Sequence, residues 1–169
     1  MVHLYVGDGK GKTTAAVGLA VRMAGSGGQV LFCQFLKNGR SSEINALEFV
    51  PNLQLFLPKQ FFGFTFRMDA GTKERARRYY QDYFKELKDQ AGVYDMLVLD
   101  EAVDACNAGL LEEAGLVDFL RQLGQKKEIV LTGRNPSEEL KSQAAYHTVM
   151  QKVRHPYDNG ILARDGVER

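Results

Sequence analysis

Cysteine is scarce in this chain, and neither sign of charge prevails. The sequence holds two cysteines, Cys33 and Cys106, far apart and in no ligand-like spacing, which argues against a zinc site or a disulfide framework. Free thiols suit a reducing compartment, so a cytoplasmic location is expected. The 22 Lys and Arg against 21 Asp and Glu leave a net charge of +1, and overall charge therefore gives no reason to expect a nucleic-acid partner. No apolar stretch approaches the ~18 residues that a membrane-spanning helix needs. The N-terminus has no charged region with an apolar run behind it, so no secretory signal and no membrane partner are expected. Repeats, low-complexity tracts and linkers are missing too. With 44% hydrophobic and 25% charged residues, what remains is the composition of an ordinary globular domain. A single domain over residues 1–169 is expected.

Short apolar runs alternate with amphipathic ones. HLYVG (3–7), QVLFCQFL (29–36), the weaker NLQLFL (52–57), DMLVLDEA (95–102) and EIVLTGR (128–134) read as strands, with YHTVMQKV (146–153) as an edge strand. KTTAAVGLAVRMAG (12–25), TKERARRYYQDYFKELKDQA (72–91), EEAGLVDFLRQL (112–123) and SEELKSQA (137–144) read as helices. The alternation predicts an α/β fold, a mostly parallel sheet covered by helices on both faces. Ligands on such sheets bind at the carboxyl ends of the strands. The glycine stretch after the first strand, Asp100-Glu101, and Thr132-Gly133-Arg134 all fall at such ends.

GDGKGKTT (7–14) stands between a strand and a helix, the context of a phosphate-binding loop. Gly7, Asp8, Gly9, Lys10, Gly11, Lys12, Thr13 and Thr14 form the expected nucleotide-binding stretch. The glycines let backbone N–H groups face an anion, and the helix start adds its partial positive charge. Lys12 would neutralise phosphate oxygens, and the Thr13 hydroxyl would reach a magnesium ion. The usual pattern places its first glycine at position 6, where this chain has Val6. The loop is one residue short, which disfavours ordinary γ-phosphoryl transfer. An acid closing a hydrophobic strand, here LVLDEA, helps to hold the metal in phosphate-loop enzymes. Mg²⁺–ATP binding follows from the pair, whereas ATPase, kinase and nucleotidyl-transfer chemistry all remain open from it.

The order GDGKGKTTAAVGLAVRMAGSGGQV, QFLKNG, GFTF, LVLDEA, LTGR and RHPYDNGILARDGVE resembles the ATP:corrinoid adenosyltransferases of the CobA/BtuR/CobO type over nearly the whole chain. The shortened loop is itself a mark of that family. The resemblance implies a RecA-like phosphate-loop nucleotide hydrolase fold and transfer of the 5′-deoxyadenosyl group of ATP to the cobalt of a corrinoid, with triphosphate leaving. It implies a triphosphate running through the loop in reverse of the usual direction, which accounts for the missing residue. Thr13 and Glu101 are then the magnesium side chains, and Lys12 and Glu101 are catalytic. Arg22 and Arg134 are nucleotide contacts, Arg22 having a surface arginine as its alternative. In the family Gly63-Phe64-Thr65-Phe66 reads Gly-Phe-Thr-Trp, and its aromatic rings pack against the corrin and displace the lower axial ligand. Phe64 and Phe66 inherit that role, Phe66 without an indole N–H; a packed core corner is the alternative for FFGFTFRMD (61–69). The family implies a homodimer and a reduced flavoprotein as electron donor. Its N-terminal covering segment is expected to be absent or replaced by another element, because this chain starts almost on the first strand. Asn38-Gly39-Arg40-Ser41-Ser42-Glu43 reads as a mobile loop, Glu43 falling near a family acidic position. His155 is given a structural role or a nucleotide contact, and His3 and His147 are ordinary sheet residues. Apart from the transferase, the alternatives are an ATPase or kinase at the same site and a corrinoid carrier without catalysis.

Overall fold

The computed structural model describes residues 1–39 and 41–168. Arg40, part of the expected mobile loop, lies outside the described residues. The regular elements are β1 (Val2–Val6), α1 (Lys12–Gly25), β2 (Val30–Gln34), α2 (Ser42–Leu47), β3 (Leu53–Phe56), α3 (Ala70–Gln90), β4 (Met96–Asp100), α4 (Ala102–Asn107), α5 (Glu113–Leu123), β5 (Glu128–Gly133), α6 (Glu138–Gln143) and β6 (Tyr146–Val149). The strands form one sheet in the order β3-β2-β4-β5-β1-β6. All its pairings are parallel. Every strand therefore ends on the same edge, and the segments that follow them emerge side by side. That single fact brings the glycine loop, residues 35–39, the aromatic stretch 57–69, Glu101 and Arg134 to one rim.

β2 and β4 are buried at every position, as continuous apolar runs of a doubly covered sheet must be. Successive side chains point to opposite faces. Val30, Phe32, Met96, Val98 and Val130 meet α1 and α2, whereas Leu31, Cys33, Leu97, Leu99, Ile129 and Leu131 belong to the other layer, with residues of α3, α4, α5 and α6. Burying each large aliphatic side chain contributes about 1.5–3 kcal/mol, so the two layers hold the sheet from both sides. α1 presents Ala16, Ala20 and Ala24 to the sheet, all at 3% exposure or less. Small residues at this i, i+4, i+8 spacing let the helix lie close to the strands and seat its first turn at the rim.

Two short helices depart from the expected pattern. Ser42 and Glu43, expected in a loop, open α2, with Ser41 as its extended N-cap. Ile44 and Leu47, three residues apart and buried, anchor this turn to the sheet. The strand expected over 95–102 ends at Asp100, because Glu101 adopts φ 61°, ψ 19° and starts α4. Among the described residues no helix is long and apolar enough to cross a membrane.

Candidate active site

The glycine loop is shaped by its neighbours as well as by any anion. Gly7 has φ +113°, and a Cβ there would sit 2.4 Å from the carbonyl oxygen of Met150. Gly9 donates its N–H to that same oxygen at 2.7 Å. The segment after β6 thus packs directly on the loop, and Asp8 ties it further by accepting the Lys152 N–H at 2.9 Å. Gly11, at φ +112°, is the N-cap of α1 and has no side chain to cap it. The first N–H groups of an α-helix have no intrahelical partner and carry the positive end of its dipole. Lys12 folds over the loop and donates to the Gly9 carbonyl at 2.7 Å. Burial, with Arg134 nearby, lowers its pKa. Lys10 and Thr14 are exposed at the mouth of the loop.

Asp100 lies at the centre, with no exposed surface. One carboxylate oxygen accepts the Thr13 hydroxyl at 2.8 Å and the Thr132 hydroxyl at 2.7 Å. The other accepts Lys37 Nζ at 2.7 Å and Gln34 Nε2 at 3.3 Å. Four donors occupy the roughly four lone-pair positions of a carboxylate, so Asp100 holds α1, β5, β2 and the loop after β2 together. Beside it, the Glu101 N–H donates to Thr132 Oγ1 at 2.8 Å. A non-glycine residue in this left-handed conformation costs of order 1–3 kcal/mol and persists where its surroundings impose it. The turn aims the Glu101 carboxylate at the rim, a third exposed. Burial, opposed by Lys37 and reinforced by Asp100 and Asp104, raises its pKa to about 7. Asp104, one helical turn on, is also raised by burial, with Arg134 and Lys12 opposing.

The other expected residues fall in four groups. Arg134 follows β5, exposed, and its charge reaches Lys12, Glu101 and Asp104. Arg22 lies in the last turn of α1, exposed, and ten residues at 1.5 Å rise put it about 15 Å along the axis from Lys12. It is not part of the phosphate cradle. Gly63, at φ +85°, turns the chain into Phe64, Thr65 and Phe66. Phe64 and Phe66 are 61% and 78% exposed and stack on one another with centroids 5.6 Å apart. Arg67 lies over both rings, 5.9 Å and 5.4 Å from their centroids. The packed-corner alternative holds for Phe62, which meets Tyr79 and Tyr80, and not for Phe64 or Phe66. His155 caps its own turn by accepting the Tyr157 N–H, and His3 bonds Glu128 and stacks on Tyr146.

Sequence reasoning missed Lys37, Gln34 and Asp104. Lys37 reaches Asp100 and stands 3.3 Å from Thr13 Oγ1, 3.6 Å from Glu43 and 3.9 Å from Glu101. Burial alone would lower its pKa, but Asp100, Glu101 and Glu43 outweigh that and raise it. The signal available was its position just beyond the carboxyl end of a buried strand. Among the described residues no group of three or more His, Cys, Asp or Glu side chains is arranged to hold a metal ion. Magnesium, however, commonly takes one or two carboxylates with substrate phosphates and water. The donor set fits that use: an ammonium group already sits among the Thr13, Asp100 and Glu101 oxygens, and the buried Gln34 Oε1 has no hydrogen-bond partner among the described residues.

The family ATP:corrinoid adenosyltransferase BtuR/CobO/CobP matches residues 1–169. A corrinoid adenosyltransferase of Escherichia coli K12 is 29% identical over 173 residues, spanning 99% of this chain and 85% of that protein. One from Sinorhizobium is 28% identical over 172 residues, spanning 99% of this chain and 79% of its own, and corrinoid adenosyltransferase CobA of Salmonella typhimurium is 29% identical, covering 99% and 85%. Among solved structures, the flagellar accessory protein FlaH of Methanocaldococcus jannaschii superposes with a TM-score of 0.54 at 14% identity, covering 88% of this chain and 69% of that one. At this identity the likeness concerns the fold alone, the RecA-like phosphate-loop fold expected from the sequence.

The raised Glu101 pKa sets a pH dependence. Folded Glu101 binds its proton up to about pH 7, whereas the unfolded side chain releases it near 4.3. Between these values the native state carries more protons, so stability falls as pH rises and is level above the window. In chelator-containing buffer, melting of Glu101→Gln should lose this decline. Parallel curves for the variant and the parent would contradict it.

Proposed function

The chain belongs to the ATP:corrinoid adenosyltransferase family, and on that premise we propose that it transfers the 5′-deoxyadenosyl group of ATP to the cobalt of a corrinoid reduced to cob(I). The observation that carries this reading is the convergence of Lys12, Thr13, Asp100 and Glu101 at one edge of the sheet. In the reaction the cobalt electron pair forms a bond to C5′ while the C5′–O bond breaks and its pair leaves with triphosphate. The nucleophile is supplied by the corrinoid substrate. The protein's task is to hold C5′ in line and to stabilise the departing polyanion.

Lys12, the free N–H groups at the start of α1, and Arg134 supply positive charge to the triphosphate. Thr13 and Glu101 would hold Mg²⁺, with Asp100 fixing the Thr13 hydroxyl. The ion, when bound, neutralises negative charge that builds on the leaving group. Arg22, at the far end of α1, is suited to a part of the nucleotide remote from the triphosphate. Phe64 and Phe66 offer a flat apolar platform to the corrin, where they would displace the lower axial ligand and ease the reduction of cob(II). The corrinoid is cobalamin or cobyrinic acid a,c-diamide, for adenosylcobalamin synthesis or salvage. A reduced flavoprotein as donor, a homodimer and a cytoplasmic location complete the proposal.

The test supplies ATP, Mg²⁺ and chemically generated cob(I). Triphosphate and a light-sensitive adenosylated corrinoid should form in equal amounts. Orthophosphate or a phosphorylated product would instead mark an ATPase or kinase, and corrinoid binding without either product would mark a carrier. Lys12→Ala should lower kcat/KM by on the order of 10²-fold or more with an unchanged melting midpoint.

The aromatic platform has its own test. Phe64→Asp and Phe66→Asp should collapse turnover with a weak, flavoprotein-type reductant and reduce it far less with preformed cob(I). Both side chains are mostly exposed, so stability should change by no more than about 0.5 kcal/mol. Equal loss in both assays with a large melting shift would return these rings to a packing role.

A further inference from the structure

Among the described residues, Lys37 is the one strongly engaged cation of the site that the mechanism above does not use. Its side chain is 21% exposed, and Asp100 beneath it is fully buried. The ammonium lies 2.7 Å from Asp100 Oδ2, 3.3 Å from Thr13 Oγ1, and 3.9 Å from Glu101 Oε1. Thr13 and Glu101 are the two side chains assigned above to magnesium. An ammonium and a divalent ion sharing the same oxygens at such distances repel one another, so the two cannot be held together.

We propose that Lys37 is a resident counter-cation that fills the magnesium place in the nucleotide-free protein and is displaced from it by the metal, turning its charge to the triphosphate. This rests on the magnesium–nucleotide reading of the site. The surroundings fit an exchange of side-chain position with the backbone held still. Leu36, immediately before, is in a left-handed conformation with φ 56°. Its N–H is held by the Tyr80 hydroxyl at 3.1 Å, and the Phe35 N–H by the Asp100 carbonyl at 2.8 Å. The chain entering Lys37 is therefore pinned from two directions. Thr13 itself stands in the first turn of α1, where the phosphates would bind in this reading, so an ammonium displaced from 3.3 Å off its hydroxyl stays near them. Glu43, 3.6 Å away on α2, gives it a second acid to lean on during the exchange.

The exchange explains how three acids, Asp100, Glu101 and Glu43, are kept together without a metal. It makes Lys37 a positioning residue, since it sets the cost of metal entry. Removing it should open the metal place. Mn²⁺, used as a paramagnetic probe of the nucleotide-free protein, should bind Lys37→Met at least tenfold more tightly than the parent. In chelator, where no divalent ion can assist, the same variant should bind ATP several-fold more weakly. Lys37→Arg keeps a competing charge and should restore parent-like Mn²⁺ affinity. The unaltered protein gives an independent reading that does not depend on the variant folding. Reductive methylation followed by mass spectrometry should show Lys37 labelled several-fold faster in saturating Mg²⁺ than in chelator, relative to exposed Lys59. Equal Mn²⁺ affinity in parent and Lys37→Met, or Lys37 labelling indifferent to Mg²⁺, would overturn the exchange. Absence of Mn²⁺ binding in every variant, even with ATP, would overturn it together with the magnesium assignment. None of these measurements contains corrinoid, so they are independent of whether adenosyl transfer is the reaction.

Discussion

A carboxylate with no exposed surface must be fully satisfied or it is costly, and Asp100 meets that requirement with four donors from four parts of the chain. Two hydroxyls, one amide and one ammonium converge on it. Everything else in the site is placed relative to this group. Thr13 fixes the first turn of α1, and with it the backbone N–H groups at the start of that helix. Thr132 links the end of β5 and also receives the Glu101 N–H, which turns the next carboxylate out toward the rim. Gln34 and Lys37 bind the end of β2 and the loop after it. A buried charge here is weak evidence for stability in itself, since a well-packed apolar replacement is often as stable. Its use is positional: it holds together elements that packing alone would align only loosely.

The parallel sheet makes this convergence possible. Because all strands run the same way, the loops that follow β1, β2, β3, β4 and β5 share one rim, and the chemistry is divided among them. The glycine loop follows β1, and Asp100 and Glu101 come from the end of β4. The aromatic platform belongs to the long connection after β3. In the proposed reaction triphosphate is the leaving group and not the phosphoryl donor, and the loop would need only to hold an anion. Gly7 and Gly9 use their lack of side chains to accept the segment at Met150.

What was legible in the sequence is whatever depends on local pattern. The strand–glycine–helix run of residues 3–25 emerges within a residue of its expected bounds, because apolar runs and punctuation by glycine report local geometry. α2 and α4 were not legible, since six residues are too few to display a helical period; α6, equally short, was read from the Ser137 start that caps it. The role of Lys37 was hidden for another reason: its partner Asp100 lies 63 residues away in the chain, and only the sheet order brings them together. The four phenylalanines of 61–66 look alike in sequence. Their fates were decided by Tyr79 and Tyr80 on α3, which take Phe62 inward and leave Phe64 and Phe66 outside.

The central claim is that the Asp100 carboxylate joins the fold to the nucleotide site. Asp100→Asn keeps the shape but turns an amide N–H₂ toward groups that are themselves donors. Removing one partner of a buried charged pair typically costs roughly 3–5 kcal/mol. Measured on one sample by calorimetry, Asp100→Asn should lower the melting midpoint and weaken Mg²⁺–ATP binding together. A variant that melts and binds Mg²⁺–ATP as the parent does would contradict the account.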